Sequence, residues 1–109
     1  MTARTPKPPA HLQPATKRWW ASVVSEFELE AHHVRLLTLA AEAFDRCQQA
    51  RETIATEGPI FQDRFGQPKA HPSVGIERDS KIAFARLLRE LDLDGGPDPD
   101  PRIPRPGGR

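Results

Sequence analysis

Histidine and cysteine are the residues of this sequence whose side chains most readily bind metal ions, and their spacing decides whether they share one. His11, His71 and the single cysteine, Cys47, fall in separate predicted elements. His32 and His33 are adjacent, and adjacent residues on a helix point about 100° apart, whereas a shared ion needs a pair such as i, i+4. We therefore predict no metal site.

Catalysis would require a nucleophile with a paired base, a phosphate-binding glycine loop or converging carboxylates, and the sequence contains none of these in readable form. Glu28 with Glu30, and Glu77 with Asp79, fall near predicted helix starts, where acids favour the helix dipole. Cys47 falls on an apolar helical stripe and is interpreted as a small buried hydrophobe. We predict a protein that is not an enzyme and that needs no cofactor.

Basic residues are distributed unevenly along the chain. Residues 1–25 carry four bases and no acid, whereas residues 26–57 carry seven acids and three bases. Such an arm is able to contact phosphate, but a charge of this size does not by itself imply nucleic acid.

The elements that would position these side chains are mainly helical. A first helix is predicted over about residues 16–27, with the Thr16 hydroxyl capping its first turn just after Pro14. Its apolar residues recur every three or four positions: Trp19, Trp20, Val23, Val24 and Phe27. One indole is expected to face the core and the other a neighbouring element or subunit.

A second helix is predicted over about residues 31–57, a stretch without proline or glycine. Residues along one side step alternately by four and three positions, as in a heptad repeat: Leu29, His33, Leu36, Ala40, Ala43, Cys47, Ala50 and Ile54. Leu37 and Phe44 widen this seam. Its alanines leave room for a close helix neighbour, either within the chain or in another subunit.

Glycine and proline delimit the remaining elements. Gly58 is expected to end the second helix in the left-handed αL conformation, and Pro59 prevents its continuation. Residues 59–70 predict a short β-ribbon or extended turn in which Gly66 accepts a positive φ. A third helix is predicted over about residues 73–91, with a buried face formed by Ile76, Ser80, Ala83, Phe84, Leu87, Leu88 and Leu91.

These predictions describe a mainly α protein with one small domain. Residues 1–14 are predicted to be a flexible basic arm, residues 15–93 a single helical domain, and residues 94–109 a disordered tail rich in proline and glycine. Because a core of this size often needs a partner, a homo-oligomer is expected. The single cysteine and the lack of an apolar run of roughly 20 residues indicate a cytoplasmic rather than a membrane location.

Four ordered segments resemble the small terminase subunits of tailed bacteriophages, specifically the short type associated with HK97-like phages. The segments are Pro8-Pro9 and Leu12 before a helix with Trp19; Ala55-Thr56-Glu57-Gly58; Phe65-Gly66-Gln67-Pro68-Lys69 leading to His71-Pro72; and Glu77-Arg78-Asp79-Ser80 leading to Arg86-Leu87-Leu88-Arg89-Glu90-Leu91-Asp92-Leu93. The resemblance covers about residues 8–93. It departs from the family at Asp92, where many relatives have glycine.

The resemblance implies a non-catalytic subunit of the host cytoplasm that recognises double-stranded viral DNA, assembles as a ring and delivers DNA to the large terminase subunit. Seven residues of the helical seams then become candidates for the subunit interface: Leu36, Ala40, Ala43, Cys47, Phe84, Leu88 and Leu91. The resemblance does not assign DNA contacts, so we predict them from charge. They are the bases without nearby acids, which are Arg4, Lys7, Lys17 and Arg18, and a second group at the ribbon, which is Arg64 and Lys69.

Two other functions use the same features. A helical DNA-binding transcriptional regulator would share the basic N-terminus but needs an exposed recognition helix, and the long, acidic second helix suits packing better than a major groove. A DNA-free scaffold or adaptor needs only the helical seams.

Overall fold

The computed structural model describes residues 6–93 and contains three helices and a two-stranded ribbon. The helices are α1 (Pro14–Glu26), α2 (Ala31–Glu57) and α3 (Pro72–Leu91), and the ribbon consists of β1 (Ile60–Gln62) and β2 (Pro68–Ala70). The predicted fold class is therefore confirmed. The predicted tail and the first five residues of the predicted arm lie outside the described residues.

Helix α1 begins earlier than predicted, and the predicted cap is wrong. Pro14 is the first helical residue. A backbone N–H at this position would have no partner within the helix, so proline, which lacks the N–H, costs no hydrogen bond there. Gln13 precedes it as the N-cap residue and makes no side-chain capping bond. Thr16 lies within the first turn, and its buried hydroxyl donates to Asp45 of α2 instead of capping its own helix.

The core is built around Trp20, which confirms that one of the two indoles faces inward. Trp20 is only 2% exposed, and its Nε1–H donates to the Thr38 hydroxyl of α2 at 3.2 Å, so its one polar atom is satisfied. Val23, Leu37 and Leu91 pack in the same cluster, which joins all three helices. Trp19 lies at the margin of this core and is half-buried.

Helices α2 and α3 form an antiparallel hairpin. The Phe44 ring lies 5.4 Å from the Phe84 ring, and further along α2 the Arg51 Nε lies 3.0 Å from a Glu77 carboxylate oxygen. The thiol of Cys47 is buried between these two contacts and approaches the Glu77 carbonyl at 3.8 Å. Around Cys47 the heptad-like seam therefore packs against α3 of the same chain. The small residues of the seam would have allowed a helix of the same chain or of another subunit.

Gly58 ends α2 as predicted, but in a different conformation. Its φ of 86° and ψ of 159° place it outside the αL region, in an extended region with positive φ that is essentially limited to glycine. The Gly58 amide donates to the Ile54 carbonyl at 2.7 Å, and the extended ψ then directs the chain into β1.

The ribbon is a short antiparallel pair in which Phe61 lies opposite Lys69 and Ile60 opposite Ala70. All six strand residues are exposed, so the ribbon projects from the helical hairpin instead of packing beneath it. An isolated pair of such strands is marginally stable, and its order depends on the bonds at its two ends.

Candidate interaction surfaces

The buried Asp45 fixes the position of α1 and was not singled out by the sequence. Its carboxylate accepts the Thr16 hydroxyl at 2.5 Å with one oxygen and the Gln13 backbone amide at 2.9 Å with the other. A carboxylate of α2 thereby caps the N-terminus of α1, where a negative charge is stabilised. The sequence did contain one indication of this role. Asp45 comes four residues after Ala41 and eight after Leu37, so it is an acid on a helical face that is otherwise apolar.

An open cleft lies where this anchored helix meets the hairpin, and we call it the aromatic cleft. It has a volume of about 250 Å³ and is lined by Ala15, Thr16, Trp19, Phe44 and Phe84. The Phe84 ring stands 6.0 Å from Trp19 and 5.4 Å from Phe44, in tilted arrangements that favour aromatic pairs. Phe44 remains 38% exposed, so an apolar surface at the cleft is left open to solvent.

The seven predicted interface residues divide into two groups in the structure. Ala40, Cys47 and Leu91 are buried by the chain itself, so they would reach another subunit only if the helices moved apart. The other four are half-buried: Leu36, Ala43, Phe84 and Leu88. Their role in a subunit contact stays a prediction, and Phe44 is a more exposed neighbour of Phe84 that the prediction omitted.

The predicted DNA-contacting bases lie on two separate elements. Lys7, Lys17 and Arg18 lie on or before α1, whereas Arg64 and Lys69 belong to the ribbon, and Arg4 lies outside the described residues. None of the five described bases makes an ion pair with another residue of the range 6–93. Helix α1 is bonded to Asp45, and the ribbon follows the end of α2 at Glu57, twelve residues further on. At a rise of about 1.5 Å per residue, the bases of α1 and those of the ribbon are separated by roughly 18 Å along α2.

Four further arginines have the same properties and were not predicted. They are exposed and have no ion-pair partner within the described part of the chain: Arg35, Arg46, Arg86 and Arg89. The prediction favoured stretches of sequence without acids, but on a helix the spatial neighbours of a base are three and four residues away. Of the four, only Arg35 has no acid at those spacings; Arg46, Arg86 and Arg89 each have one that does not pair with them, which only the structure shows.

Glu77 holds the only ion-pair cluster of three side chains among residues 6–93. Its carboxylate lies 3.0 Å from the Arg51 Nε and 3.6 Å from the Lys81 Nζ. The hydrogen bond from Arg51 is the largest of the causes that lower the pKa of Glu77, and the same bond raises the pKa of Arg51. This cluster ties the second half of α2 to the start of α3, near the ribbon.

His71 connects both helices of the hairpin to the base of the ribbon. Its Nδ1 accepts the Ser73 amide at 3.0 Å and so caps α3, and its Nε2 lies 2.7 Å from a Glu57 carboxylate oxygen. Because Nδ1 acts as an acceptor, Nε2 carries the hydrogen and donates to Glu57. The His71 backbone amide also donates to the Pro59 carbonyl at 2.7 Å, which closes the ribbon where it leaves the helices.

The ribbon tip, residues 63–66, is a hydrogen-bonded turn. The Asp63 side chain accepts the amides of Phe65 at 2.8 Å and Gln67 at 3.0 Å, and the Gly66 amide donates to the Asp63 carbonyl at 2.9 Å. Gly66 has a φ of 79°, as predicted for this turn. The Arg64 guanidinium lies 5.2 Å from the centre of the Phe65 ring, and Phe65 is 76% exposed.

Within residues 6–93, no three side chains of His, Cys, Asp or Glu are grouped so that they would hold a metal ion. None of the described helices combines the length and the apolar character needed to cross a membrane.

Comparison with known proteins gives a match to a protein family. The model of a family described as "Phage terminase, small subunit" matches residues 16–96, a range that includes nearly all of α1, the whole hairpin and the ribbon. No curated protein and no solved structure matches the chain.

Proposed function

The chain belongs to the phage terminase small-subunit family, and on that basis we propose that it binds double-stranded viral DNA, assembles as a ring and delivers DNA to the large terminase subunit. A role in phage genome packaging follows from the family itself. The observation that carries the finer proposal is that the chain presents both an open apolar cleft and unpaired bases, those of the ribbon being on a separate element, so contacts with protein and with DNA are both available.

DNA binding is supported by the exposed bases. Arg18 of α1 and Arg64 and Lys69 of the ribbon have no ion-pair partner within residues 6–93, so their charges are available to phosphate oxygens. Contacts of this kind supply affinity without sequence information and weaken as counterion concentration rises. We expect salt-sensitive binding with modest sequence preference.

Assembly is supported by the aromatic cleft. Phe44 and Phe84 expose aromatic surface, and aromatic side chains are enriched at the buried centres of protein interfaces. We propose that a neighbouring subunit covers this cleft and also the half-buried Leu88, which lies on α3 together with Phe84. A ring requires the covering surface to differ from the cleft, because repeated contact between two different surfaces closes a cycle when the rotation permits it.

A proposed partner in the host cytoplasm is the large terminase subunit. As a non-catalytic protein, the chain would supply DNA recognition while the large subunit supplies the ATPase and nuclease. Co-purification of the two chains tests this interaction. The aromatic-cleft variant Phe84→Ser then tests whether the small subunit must assemble before it binds the large subunit.

The test of the proposal combines light scattering with salt-titrated DNA binding. A large closed oligomer with salt-sensitive binding supports it, a dimer with a sharp operator preference would favour a regulator, and no binding at low salt would favour a scaffold. The change Phe44→Ser should dissociate the oligomer, whereas Phe27→Ser, at an aromatic residue of similar exposure that does not line the cleft, should leave it intact.

Charge-reversed variants test which bases contact DNA. Lys17→Glu and Arg18→Glu should each weaken binding and reduce the slope of log affinity against log salt by about one. The matched control is Arg78→Glu, an exposed helical arginine that is already paired with Asp79 at 3.1 Å. Equal effects of Arg18→Glu and Arg78→Glu would reflect net charge alone and would remove Arg18 from the DNA surface.

A further inference from the structure

Phe65 is the most exposed of the large apolar side chains in the described part of the chain, and it stands at the end of a projecting ribbon. At 76% it is twice as exposed as Phe44, which lines a cleft. Its ring is approached by the Arg64 guanidinium, and no second aromatic ring within residues 6–93 pairs with it. A phenylalanine held in this way adds nothing to the core of its own chain.

The turn that carries Phe65 is closed by several hydrogen bonds to its backbone. The Asp63 carboxylate accepts the Phe65 and Gln67 amides, and the Asp63 amide donates to the Gln67 carbonyl at 3.0 Å. These bonds hold the turn in one conformation. Both side-chain bonds go to the same oxygen of the Asp63 carboxylate, which keeps its negative charge.

The charges around the tip favour a polyanion as its partner. Between Gly58 and Ala70 there are two bases, Arg64 and Lys69, and one acid, Asp63, so the segment has a net charge of +1. Arg64 is next to the exposed ring, and Lys69 lies on β2 opposite Phe61. The two bases of this segment outnumber its one acid, and this excess of positive charge is complementary to the phosphates of a polyanion.

We propose that the ribbon tip enters the minor groove of DNA, with Phe65 as an apolar wedge against a base step and Arg64 and Lys69 on the flanking phosphates. This inference rests on the proposed DNA binding and identifies the residue that would deform the duplex. Two-stranded ribbons are among the elements that read DNA grooves. Apolar side chains inserted from the minor groove partly unstack a base step and kink the duplex, and pyrimidine–purine steps yield most easily.

The experiment compares two duplexes of about 25 base pairs, one rich in TA and CA/TG steps and one built from A-tracts, which resist unstacking. Affinity is measured by fluorescence anisotropy at fixed salt, and bending by energy transfer between dyes on the two ends. The full-length protein and its variants Phe65→Ser and Phe65→Leu are used, because leucine is also able to act as a wedge and serine is not.

The wild type and Phe65→Leu should bind the flexible duplex about tenfold more tightly than the A-tract duplex and should bend it. Phe65→Ser should bind both duplexes equally and without bending, with an unchanged salt slope because its phosphate contacts remain. Retention of preference and bending by Phe65→Ser overturns the wedge but leaves DNA binding intact. Loss of the oligomer in Phe65→Ser, seen by light scattering, overturns it in favour of a protein contact. Absence of wild-type binding to either duplex at low salt refutes the proposed DNA binding and the wedge together.

Discussion

The Thr16 hydroxyl of α1 and the Asp45 carboxylate of α2 are hydrogen-bonded at 2.5 Å although 29 residues separate them in the chain. Both side chains are buried, and the second Asp45 oxygen holds the Gln13 amide. This pair fixes where α1 sits on the hairpin and therefore shapes the aromatic cleft, of which Thr16 is one wall.

The Thr16–Asp45 pair should contribute measurably to stability. Thr16→Val keeps the shape of the side chain but leaves a buried carboxylate oxygen without its donor, and we expect it to lower the free energy of unfolding by about 1–3 kcal/mol. Thr56→Val, the same change at an exposed site of α2, should cost less than about 0.5 kcal/mol. Urea denaturation at one fixed protein concentration measures both, since assembly shifts apparent stability. Equal values for the two variants would show that the pair is not stabilising.

Gly58 and Gly75 should respond in opposite directions to alanine. Gly58 has a φ of 86°, so Gly58→Ala introduces backbone strain of about 1–3 kcal/mol although the new Cβ would meet only the Ile60 carbonyl, at 3.8 Å. Gly75 lies inside α3, where its new Cβ would meet only the flexible Arg78 side chain, at 3.5 Å. Gly75→Ala should therefore stabilise the chain by about 0.5–1 kcal/mol. Thermal melts of the two variants provide the comparison, and a destabilised Gly75→Ala would contradict it.

The ion-pair cluster at Glu77 should make stability depend on acid. The pKa of Glu77 is lowered on folding, chiefly by the hydrogen bond from Arg51, so the contribution is complete above the ordinary carboxyl value of 4.5. It is lost as the pH falls through the lowered folded pKa. Urea midpoints measured from about pH 6 downwards should fall less steeply for Glu77→Gln than for the wild type.

The control for this acid dependence is Glu90→Gln, which removes a carboxylate from the same helix without breaking an ion pair of the described residues. It separates the loss of the Arg51 contact from the change in net charge. A Glu77→Gln profile parallel to that of the wild type would show that the cluster is screened by solvent.

Asp92 ends α3 in a backbone conformation that suits glycine. It ends α3 with φ 53° and ψ 52°, the left-handed conformation that disfavours residues with a Cβ, although aspartate tolerates it better than most. Asp92→Gly should stabilise the chain by about 0.5 kcal/mol. Asp79→Gly, at a right-handed position of the same helix, has no such strain to relieve and should destabilise it. The two melting temperatures decide, and a lower value for Asp92→Gly would contradict the argument.

Most of the fold was predictable because it depends on local spacing. The apolar residues of all three helices repeat with helical period, and Gly58, Pro59, Gly66 and Pro72 mark where periodicity stops, so the elements and their order follow from the chain itself. The exposure of Phe65 was not predicted, since periodicity does not show whether a short ribbon packs on its helices or projects from them.

What only the tertiary structure decided are the contacts between residues distant in sequence. Asp45 caps α1 instead of Thr16, His71 joins Glu57 to Ser73, and Ala40, Cys47 and Leu91 are covered by their own chain. A repeat along one helix specifies which face is apolar, but it does not specify which partner covers that face or which polar group an isolated acid will meet. By itself, the sequence determined the three helices, with their ends to within about two residues, and the family resemblance. The packing of α1 against α2 selected Asp45, because a buried hydroxyl and a helix N-terminus both need an acceptor that only the folded chain brings within reach.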